Sequence, residues 1–253
     1  MKAMILAAGL GSRLRPLTND RPKALVELNG RTLLEITLTR LRTSGVTEAI
    51  INVHHFADMV VRYLRSKNNF NMRLEVSRED DQLLDTGGGL KNAAWFFLDD
   101  PNRLDEPFLL HNVDIVSNID FHAMLQFHED HHALATLAVQ SRPSSRQLLF
   151  NDQLQLSGRR INNEDTLIAG LTGNPASYTS LAFSGIHIIS PRLLPMLTES
   201  TPVFSIIDSY LRLSSQSQKI LAFRHDTSYW RDLGKPTDLA QAVLDFQQEK
   251  LPS

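Results

Sequence analysis

The chain has 253 residues, of which 42% are hydrophobic and 21% are charged, and this length predicts one large domain spanning residues 1–253 with a sizeable core. The 26 lysines and arginines almost balance the 28 aspartates and glutamates, which argues against nucleic acid or a membrane surface as a partner. Because there is no cysteine, disulfides, thiolate metal sites and a cysteine nucleophile are excluded.

The first predicted element is a buried strand over residues 3–8, a short apolar run that ends at Gly9. Such a run is typical of a parallel strand covered on both faces. It is shorter than the roughly 18 residues that a membrane span needs, and it makes a poor signal peptide. We therefore expect a cytoplasmic protein.

The first half of the chain alternates between predicted strands and helices. A long loop over residues 9–29 contains Pro16 and Pro22, and leucines at helical spacing then lead to Gly45 as a stop signal. This alternation predicts an α/β fold with a Rossmann-like, mainly parallel sheet flanked by helices. The further elements expected are strands at 48–53, 72–76 and 107–110 and helices at 33–41, 58–65 and 90–98.

After about residue 120 the predicted strands become more frequent. We interpret residues 1–118 as one half of the domain and residues 119–253 as a β-rich half that builds a pocket wall and ends in a helix. A hairpin over 148–156 turns at Asn151 and Asp152. The other expected elements are strands at 133–140, 180–189 and 220–223 and helices at 121–130, 192–197, 206–213 and 236–248.

The most informative local feature is the glycine loop that follows the first strand. Gly9 and Gly11 would let backbone N–H groups approach a polyphosphate without obstruction by Cβ atoms. Three cations, Arg13, Arg15 and Lys23, follow closely. Since phosphoryl chemistry needs positive charge where negative charge accumulates, the loop predicts a phosphate site.

Two other phosphate-binding motifs fit this loop poorly. A dinucleotide-binding site, and with it an NAD-dependent oxidoreductase, requires Gly-x-Gly-x-x-Gly opening into a helix. Here Leu14 occupies the third glycine position, and Pro16 and Pro22 fall where the helix would continue. A proline inside a helix costs about 3 kcal/mol. A Walker loop is excluded because Gly-Lys-Ser/Thr does not occur at the required spacing.

Gly-Leu-Gly-Ser-Arg-Leu-Arg-Pro-Leu-Thr at 9–18, followed by Pro-Lys at 22–23, resembles the signature of the sugar-1-phosphate nucleotidyltransferases. Four later segments resemble further motifs of that family, in the family's order. They are Leu-Asp-Thr-Gly-Gly-Gly at 84–89, Asn-Val-Asp at 112–114, Phe-Ser-Gly-Ile at 183–186 and Trp-Arg-Asp-Leu-Gly at 230–234. The likeness covers essentially the whole chain and implies the nucleotide-diphospho-sugar transferase fold.

The resemblance implies that a sugar 1-phosphate attacks the α-phosphate of a nucleoside triphosphate and releases pyrophosphate. It assigns Arg13 to the leaving phosphates and Lys23 to a position between the nucleotide α-phosphate and the sugar phosphate. Asp114 and Asp232 become ligands of Mg²⁺, which binds hard oxygens and usually keeps one or two protein carboxylates. Asp114 also follows an apolar strand, at the carboxyl edge where ligands of open α/β sheets bind.

The resemblance also implies which residues hold the two substrates. The sugar side is assigned to Ser184 and Gly185 through backbone and hydroxyl groups, with the alternative that this pair is only a small-residue bend in a buried strand. For the triple glycine at 87–89, the alternative to nucleotide binding is a flexible turn before a helix. The residues assigned to the nucleotide are Ala8, Gly9, Gly11, Ser12, Thr86, Gly87, Gly88 and Asn112.

The sequence departs from the family pattern at several positions. Val113 replaces a glycine, Lys235 stands where a threonine is frequent, and no Glu-Lys-Pro sugar motif occurs. Asn162 and Glu164 are polar candidates in that region, and their roles, like those of Arg15 and Lys235, stay open. The His54-His55 and His131-His132 pairs lack the spacing of a zinc site.

The short chain without a hexapeptide β-helix is similar to N-acetylmuramate-1-phosphate uridylyltransferases and to mannose- or heptose-1-phosphate guanylyltransferases. Neither base nor sugar nor oligomeric state follows from the sequence. A catalytically silent nucleotide-sugar-binding regulatory subunit is the alternative from another class. It would be expected to lose charge at positions 13, 23, 114 or 232, and all four charges are present.

Overall fold

A mixed sheet, with a parallel centre, organises the chain in the computed structural model, which describes residues 1–168 and 177–247. The strands are β1 (Lys2–Leu6), β2 (Glu27–Leu28), β3 (Arg31–Thr32), β4 (Glu48–Val53), β5 (Arg73–Arg78), β6 (Phe108–Asn112), β7 (Ile115–Ser117), β8 (Ala135–Gln140), β9 (Arg146–Phe150), β10 (Leu156–Ile161), β11 (Glu164–Leu167), β12 (Thr179–Ile189), β13 (Ile220–Arg224) and β14 (Trp230–Asp232). The α-helices are α1 (Leu33–Thr43), α2 (Ala57–Ser66), α3 (Asp85–Asn92), α4 (Phe121–Asp130), α5 (Ile206–Ser215) and α6 (Pro236–Gln247).

The sheet has a parallel part and an antiparallel extension. Strands β5, β4, β1 and β6 lie side by side in parallel, so that Met4 is paired with both Ile50 and Leu110. The long strand β12 then runs antiparallel to β6 and to β8, and β13 is parallel to β8. The beginning of β12 pairs with β9, which continues into β10 and β11 as an antiparallel wall. The predicted fold class is confirmed.

Helices cover both faces of the sheet because its strands are apolar on both sides. Ala3 and Ile5 belong to a core that also contains buried residues of α1, α2 and α4. Met4, which points to the opposite face, packs in a second core with buried residues from α3 and α5. This alternation along β1 explains why the N-terminal run is continuously hydrophobic.

Most predicted elements are confirmed within a few residues, and three differ. Helix α3 begins at Asp85, so the triple glycine lies inside a helix and not in a turn before it. Residues 94–96 form a separate 3-10 turn, and the helix expected at 192–197 is the 3-10 helix Pro191–Met196. The expected loop at 9–29 contains two 3-10 turns and β2. The predicted end of the last helix, at residue 248, lies outside the described residues.

A two-stranded sheet that was not predicted joins the two halves of the chain. Strand β7 pairs antiparallel with β14, placing Asp232 opposite Ile115. The Leu233 N–H donates to the Asp114 carbonyl oxygen at 2.8 Å. This pairing brings the 114 and 232 regions together across the chain. Within residues 1–168 and 177–247, none of the helices has the length and apolarity that crossing a bilayer requires.

Candidate active site

The glycine loop leaves β1 and folds back on itself in a 3-10 turn, Ser12–Leu14. Gly11 adopts a φ of 63°, in the left-handed region that glycine tolerates best. Its carbonyl oxygen accepts a hydrogen bond from Thr18 Oγ1 at 2.9 Å, and a Cβ atom here would lie 2.9 Å from Thr18 Cγ2. Gly11 therefore shapes the loop, and Ser12 and Arg13 are exposed on it.

Lys23 is a nearly buried cation at the base of this loop. It begins a 3-10 turn, Lys23–Leu25, whose other two residues are buried in the core. Only 8% of Lys23 is exposed, and its Nζ donates a hydrogen bond to Asp114 Oδ2. Asp114 follows β6 directly, at the carboxyl edge of the parallel strands. Lys23 and Asp114, 91 residues apart in sequence, thus form an ion pair at the predicted site.

Asp232 and Arg13 complete a cluster of four charges. Burial and the neighbouring Asp114 carboxylate raise the pKa of Asp232, while Lys23 and Arg13 counteract this shift. Asp232 Oδ1 accepts a hydrogen bond from the Gly234 N–H at 2.7 Å. A Cβ atom at Gly234 would lie 2.7 Å from both Asp232 Oδ1 and Arg13 Nη2, so the guanidinium lies against this glycine.

Two adjoining cavities open beside the four charges. The small cavity, of about 220 Å³, is lined by the glycine loop, Lys23 and Asp114. The large cavity, of about 620 Å³, extends to Asp232 and to the antiparallel wall formed by β9 and β10. Both cavities are lined by Asp85, Thr86 and Asn112. The two cavities therefore adjoin each other beside the charged cluster.

Six of the eight residues predicted to hold the nucleotide divide into two groups, and the other two, Gly11 and Ser12, line neither cavity. Ala8, Gly9, Thr86 and Asn112 line the small cavity, as a binding role requires. Gly87 and Gly88 are buried in α3 and line neither of the two cavities.

The close approach that Gly87 and Gly88 permit in the structure is to the chain itself. Both N–H groups donate to the Phe204 carbonyl oxygen, at 2.9 and 3.3 Å. A Cβ atom on Gly88 would lie 2.1 Å from the Pro202 carbonyl oxygen, and one on Gly87 would lie 2.4 Å from the Phe204 ring. Packing between α3 and the 202–204 segment thus explains both glycines.

The predicted sugar-side residues line the large cavity, but the Ser184 hydroxyl is already engaged. Ser184 is fully buried, and its Oγ is 2.8 Å from His225 Nε2. Its carbonyl oxygen accepts a hydrogen bond from Trp230 Nε1 at 2.8 Å. Gly185 has a φ of 74°, and a Cβ atom there would lie 2.8 Å from Asn112 Nδ2. The Ser184 hydroxyl is therefore engaged by His225 in this structure, and its contact with a sugar stays a prediction.

The residues whose roles the sequence left open lie outside both cavities. Arg15, Asn162, Glu164 and Lys235 are exposed, and Glu164 begins β11. The Lys235 carbonyl oxygen accepts hydrogen bonds from N–H groups in the first turn of α6. Val113, in contrast, is buried in the core and contributes to the wall of the small cavity.

A buried polar network that the sequence reasoning missed holds the small cavity in shape. Asn52 Oδ1 accepts a hydrogen bond from the Ala7 N–H at 2.8 Å, and Asn52 Nδ2 donates to Glu79 Oε1 at 2.6 Å. Glu79 Oε2 accepts from the Leu84 N–H at 2.8 Å. The network ties the glycine loop to the start of α3. Polar residues at the carboxyl ends of the neighbouring strands β4 and β5 were the signal that could have revealed it.

Comparisons with known proteins agree with this architecture. The profile of the family described as nucleotidyl transferase matches residues 2–249, and the chain belongs to this family. Among solved structures, HddC from Yersinia pseudotuberculosis complexed with GMP-PN superposes with a TM-score of 0.74 at 21% identity, covering 97% of this chain and 99% of that one. UDP-glucose pyrophosphorylase complexed with UDP-glucose superposes with a TM-score of 0.76 at 16% identity, covering 98% of both chains. At these identities the superpositions establish the fold.

Curated relatives match over longer or shorter parts of the chain. An N-acetylmuramate alpha-1-phosphate uridylyltransferase from Caulobacter vibrioides is 53% identical over 93 residues, which are 36% of this chain and 38% of that protein. A mannose-1-phosphate guanyltransferase from Aspergillus fumigatus is 29% identical over 242 residues, which are 94% of this chain. The chain spans 62% of the length of that guanyltransferase.

Proposed function

We propose that this protein transfers a nucleotidyl group from a nucleoside triphosphate to a sugar 1-phosphate, giving a nucleotide-sugar and pyrophosphate. The observation that carries the proposal is the convergence of Arg13, Lys23, Asp114 and Asp232 where the two cavities meet. These residues come from three distant parts of the sequence, since Arg13 and Lys23 share the loop after β1. Family membership supports the same reaction.

The reaction needs two anions to be brought together, with the attacking phosphate oxygen in line with the leaving pyrophosphate. Positioning and charge neutralisation supply most of the catalysis, so no covalent intermediate on the protein is required. Lys23, held inward by its buried position, would lie between the nucleotide α-phosphate and the sugar phosphate. Arg13, on the exposed loop, would neutralise the pyrophosphate as it leaves.

We further propose that Asp114 and Asp232 hold Mg²⁺ together with the substrate phosphates. The donor set fits, because Mg²⁺ prefers carboxylate oxygens and commonly takes one or two from the protein. Among the described residues, no group of three histidine, aspartate or glutamate side chains is arranged to hold a metal, so phosphate and water would complete the coordination. When bound, the cation would bridge phosphates and neutralise their charge.

The nucleotide would occupy the small cavity, and the sugar the large one. Ala8, Gly9, Thr86 and Asn112 would contact the nucleotide, and Gly185 would give the sugar close access to the backbone. Two substrate pairs are supported by the relatives. The Caulobacter protein supports UTP with N-acetylmuramate 1-phosphate, and the guanyltransferases support GTP with mannose 1-phosphate. Heptose 1-phosphate stays a prediction from the sequence.

A pyrophosphate-release screen tests the proposal. UTP, GTP, dTTP and CTP are each combined with a panel of sugar 1-phosphates, with Mg²⁺ present or removed by EDTA. We expect pyrophosphate release for at least one pair and its loss on chelation. Nucleotide-sugar binding without turnover for any pair would instead indicate the silent regulatory subunit, and activity that survives chelation would contradict the magnesium site.

A further inference from the structure

The large cavity is lined by four arginines and three aspartates. The arginines are Arg142, Arg146, Arg159 and Arg160, all from the segment that contains β9 and β10. Two of them are neutralised by carboxylates. Arg159 Nη1 is 2.7 Å from Asp208 Oδ1, and Arg160 forms two hydrogen bonds with Asp165, at 2.5 and 2.8 Å.

Arg142 and Arg146 form no ion pair within the described parts of the chain, although the charge of Asp232 acts on Arg142. In the described parts of the chain, no carboxylate lies within ion-pair distance of either side chain. Arg142 is partly buried, and its Nε is a buried donor without a hydrogen-bond partner among the described residues. Burial lowers the pKa of Arg142, and the charge of Asp232 opposes this shift. An unpaired, partly buried cation costs free energy unless an anion balances it.

Arg142 is held firmly in place. Its guanidinium carbon lies 3.7 Å above the Trp230 ring, and its Nη2 donates to the Phe183 carbonyl oxygen at 2.8 Å. Gln147 Nε2 donates to the Arg142 carbonyl oxygen at 3.3 Å, which fixes the turn before β9. A preorganised cation of this kind is suited to recognising a specific anionic group.

Arg142 lines the same cavity as Asp232 and feels its charge, but forms no ion pair with it. Trp230 and Asp232 are two residues apart on β14, so their side chains point to the same face about 6.6 Å from each other. Arg142 stacks on Trp230, and Asp232 belongs to the catalytic cluster. A sugar ring placed between them would have its 1-phosphate at Asp232 and a ring substituent at Arg142.

We propose that Arg142 and Arg146 bind a carboxylate on the sugar, so that the substrate is a sugar 1-phosphate with a second acidic group. This inference rests on the proposed function. It favours N-acetylmuramate 1-phosphate over mannose 1-phosphate and heptose 1-phosphate, whose sugar rings carry no carboxylate. The two arginines are specificity-determining residues, and they would bind the lactyl carboxylate of N-acetylmuramate.

The test compares two sugars that differ only in the lactyl group, N-acetylmuramate 1-phosphate and N-acetylglucosamine 1-phosphate. Pyrophosphate release is measured for the wild type, Arg142→Gln, Arg146→Gln and a control, Arg65→Gln. Arg65 is exposed on α2, which lines neither cavity. Thermal unfolding of each variant shows whether it is folded.

We expect the wild type to prefer the muramate substrate by at least about tenfold in kcat/KM, which corresponds to about 1.4 kcal/mol. In Arg142→Gln and Arg146→Gln that preference falls because the KM for the acidic sugar rises, while the KM for the nucleotide and the rate with N-acetylglucosamine 1-phosphate change little. Arg65→Gln should behave as the wild type.

Three outcomes would overturn the inference while leaving the proposed function intact: equal use of both sugars, exclusive use of a neutral sugar, or an equal loss for both sugars in the arginine variants. The last result would show that the arginines bind the 1-phosphate. If no sugar 1-phosphate releases pyrophosphate with any nucleotide, the proposed function itself is contradicted.

Discussion

Substituting alanine at Gly88 and at Gly9 separates two reasons for a glycine that the sequence does not distinguish. A Cβ atom on Gly88 would lie 2.1 Å from the Pro202 carbonyl oxygen, whereas one on Gly9 has nothing within 4 Å. Gly9 lines the small cavity, and Gly88 is buried inside α3. We therefore expect Gly88→Ala to change stability and Gly9→Ala to change substrate binding.

The size of the Gly88 effect follows from the contact. The Pro202 carbonyl would have to withdraw by roughly 1 Å or more to reach van der Waals distance. Because both groups are attached to packed backbone, the strain should be near the upper end of the range of about 1–3 kcal/mol for overpacking. Alanine regains about 1 kcal/mol of helix propensity over glycine. The net loss of about 2 kcal/mol should lower the Tm by roughly 4–8 °C in a chain of this length.

Calorimetric unfolding and pyrophosphate release measured together test both substitutions. Gly9→Ala should keep the wild-type Tm and raise the KM for the nucleotide about tenfold, since its methyl group would occupy space that the nucleotide needs. A Gly88→Ala protein with an unchanged Tm and a raised nucleotide KM would refute the packing argument. It would restore Gly88 to the nucleotide site that the sequence motif implies.

Three further substitutions test the buried polar groups. Burial lowers the pKa of His128 to about 4. The imidazole is therefore protonated below about pH 6.5 in the unfolded state, but only below about pH 4 in the folded state. Between pH 7 and pH 4, the unfolding free energy of the wild type, measured in denaturant, should therefore fall by about 3 kcal/mol more than that of His128→Gln. An equal fall in the two proteins would contradict this. In Glu79→Gln the new side-chain NH2 group must face either Asn52 Nδ2 or the Leu84 N–H, and both of these groups are donors. The substitution should therefore cost about 1–3 kcal/mol of stability, seen as a lower Tm, and an unchanged Tm would argue against the network. Ser184→Ala should lower stability by leaving the His225 ring nitrogen unpaired, yet keep the sugar KM within about twofold, and a large rise in that KM would return the hydroxyl to the sugar site.

The sequence predicts the parallel part of the sheet well for a physical reason. Strands β1, β4 and β6 are covered on both faces, so they appear as continuous apolar runs that no surface element imitates. Helix α4 is confirmed at its predicted bounds, since the side chain of Asp120 caps its first turn. Local chemistry is sufficient to define elements of this kind.

Long-range pairing explains what the sequence could not predict. Strands β7 and β14 are three residues long, and each is ordered only by pairing with the other across more than a hundred residues. The contact between Gly88 and Pro202 is equally remote. The packing of the triple glycine and the strand pairing of the Trp230 region both depend on residues that are distant in sequence. Hydrophobic periodicity and secondary-structure propensity do not reveal such contacts.

The candidate site shows the same division. The resemblance named all four charged residues, Arg13, Lys23, Asp114 and Asp232, and the structure brings these four together. It did not reveal Arg142 and Arg146, whose proposed role depends on the lack of an ion-pair partner for either side chain among the described residues. Local sequence patterns do not show whether an arginine has an ion-pair partner in the folded chain.

The most direct test of the account is a kinetic comparison of Asp114→Asn, Asp232→Asn and the double variant in pyrophosphate release with the best substrate pair. Because the two carboxylates are proposed to act as one unit on a shared cation, each single change should lower kcat by at least about a hundredfold. The double change should add little beyond either single one. A folded Asp232→Asn protein with wild-type kcat, or losses that multiply in the double variant, would contradict the shared site.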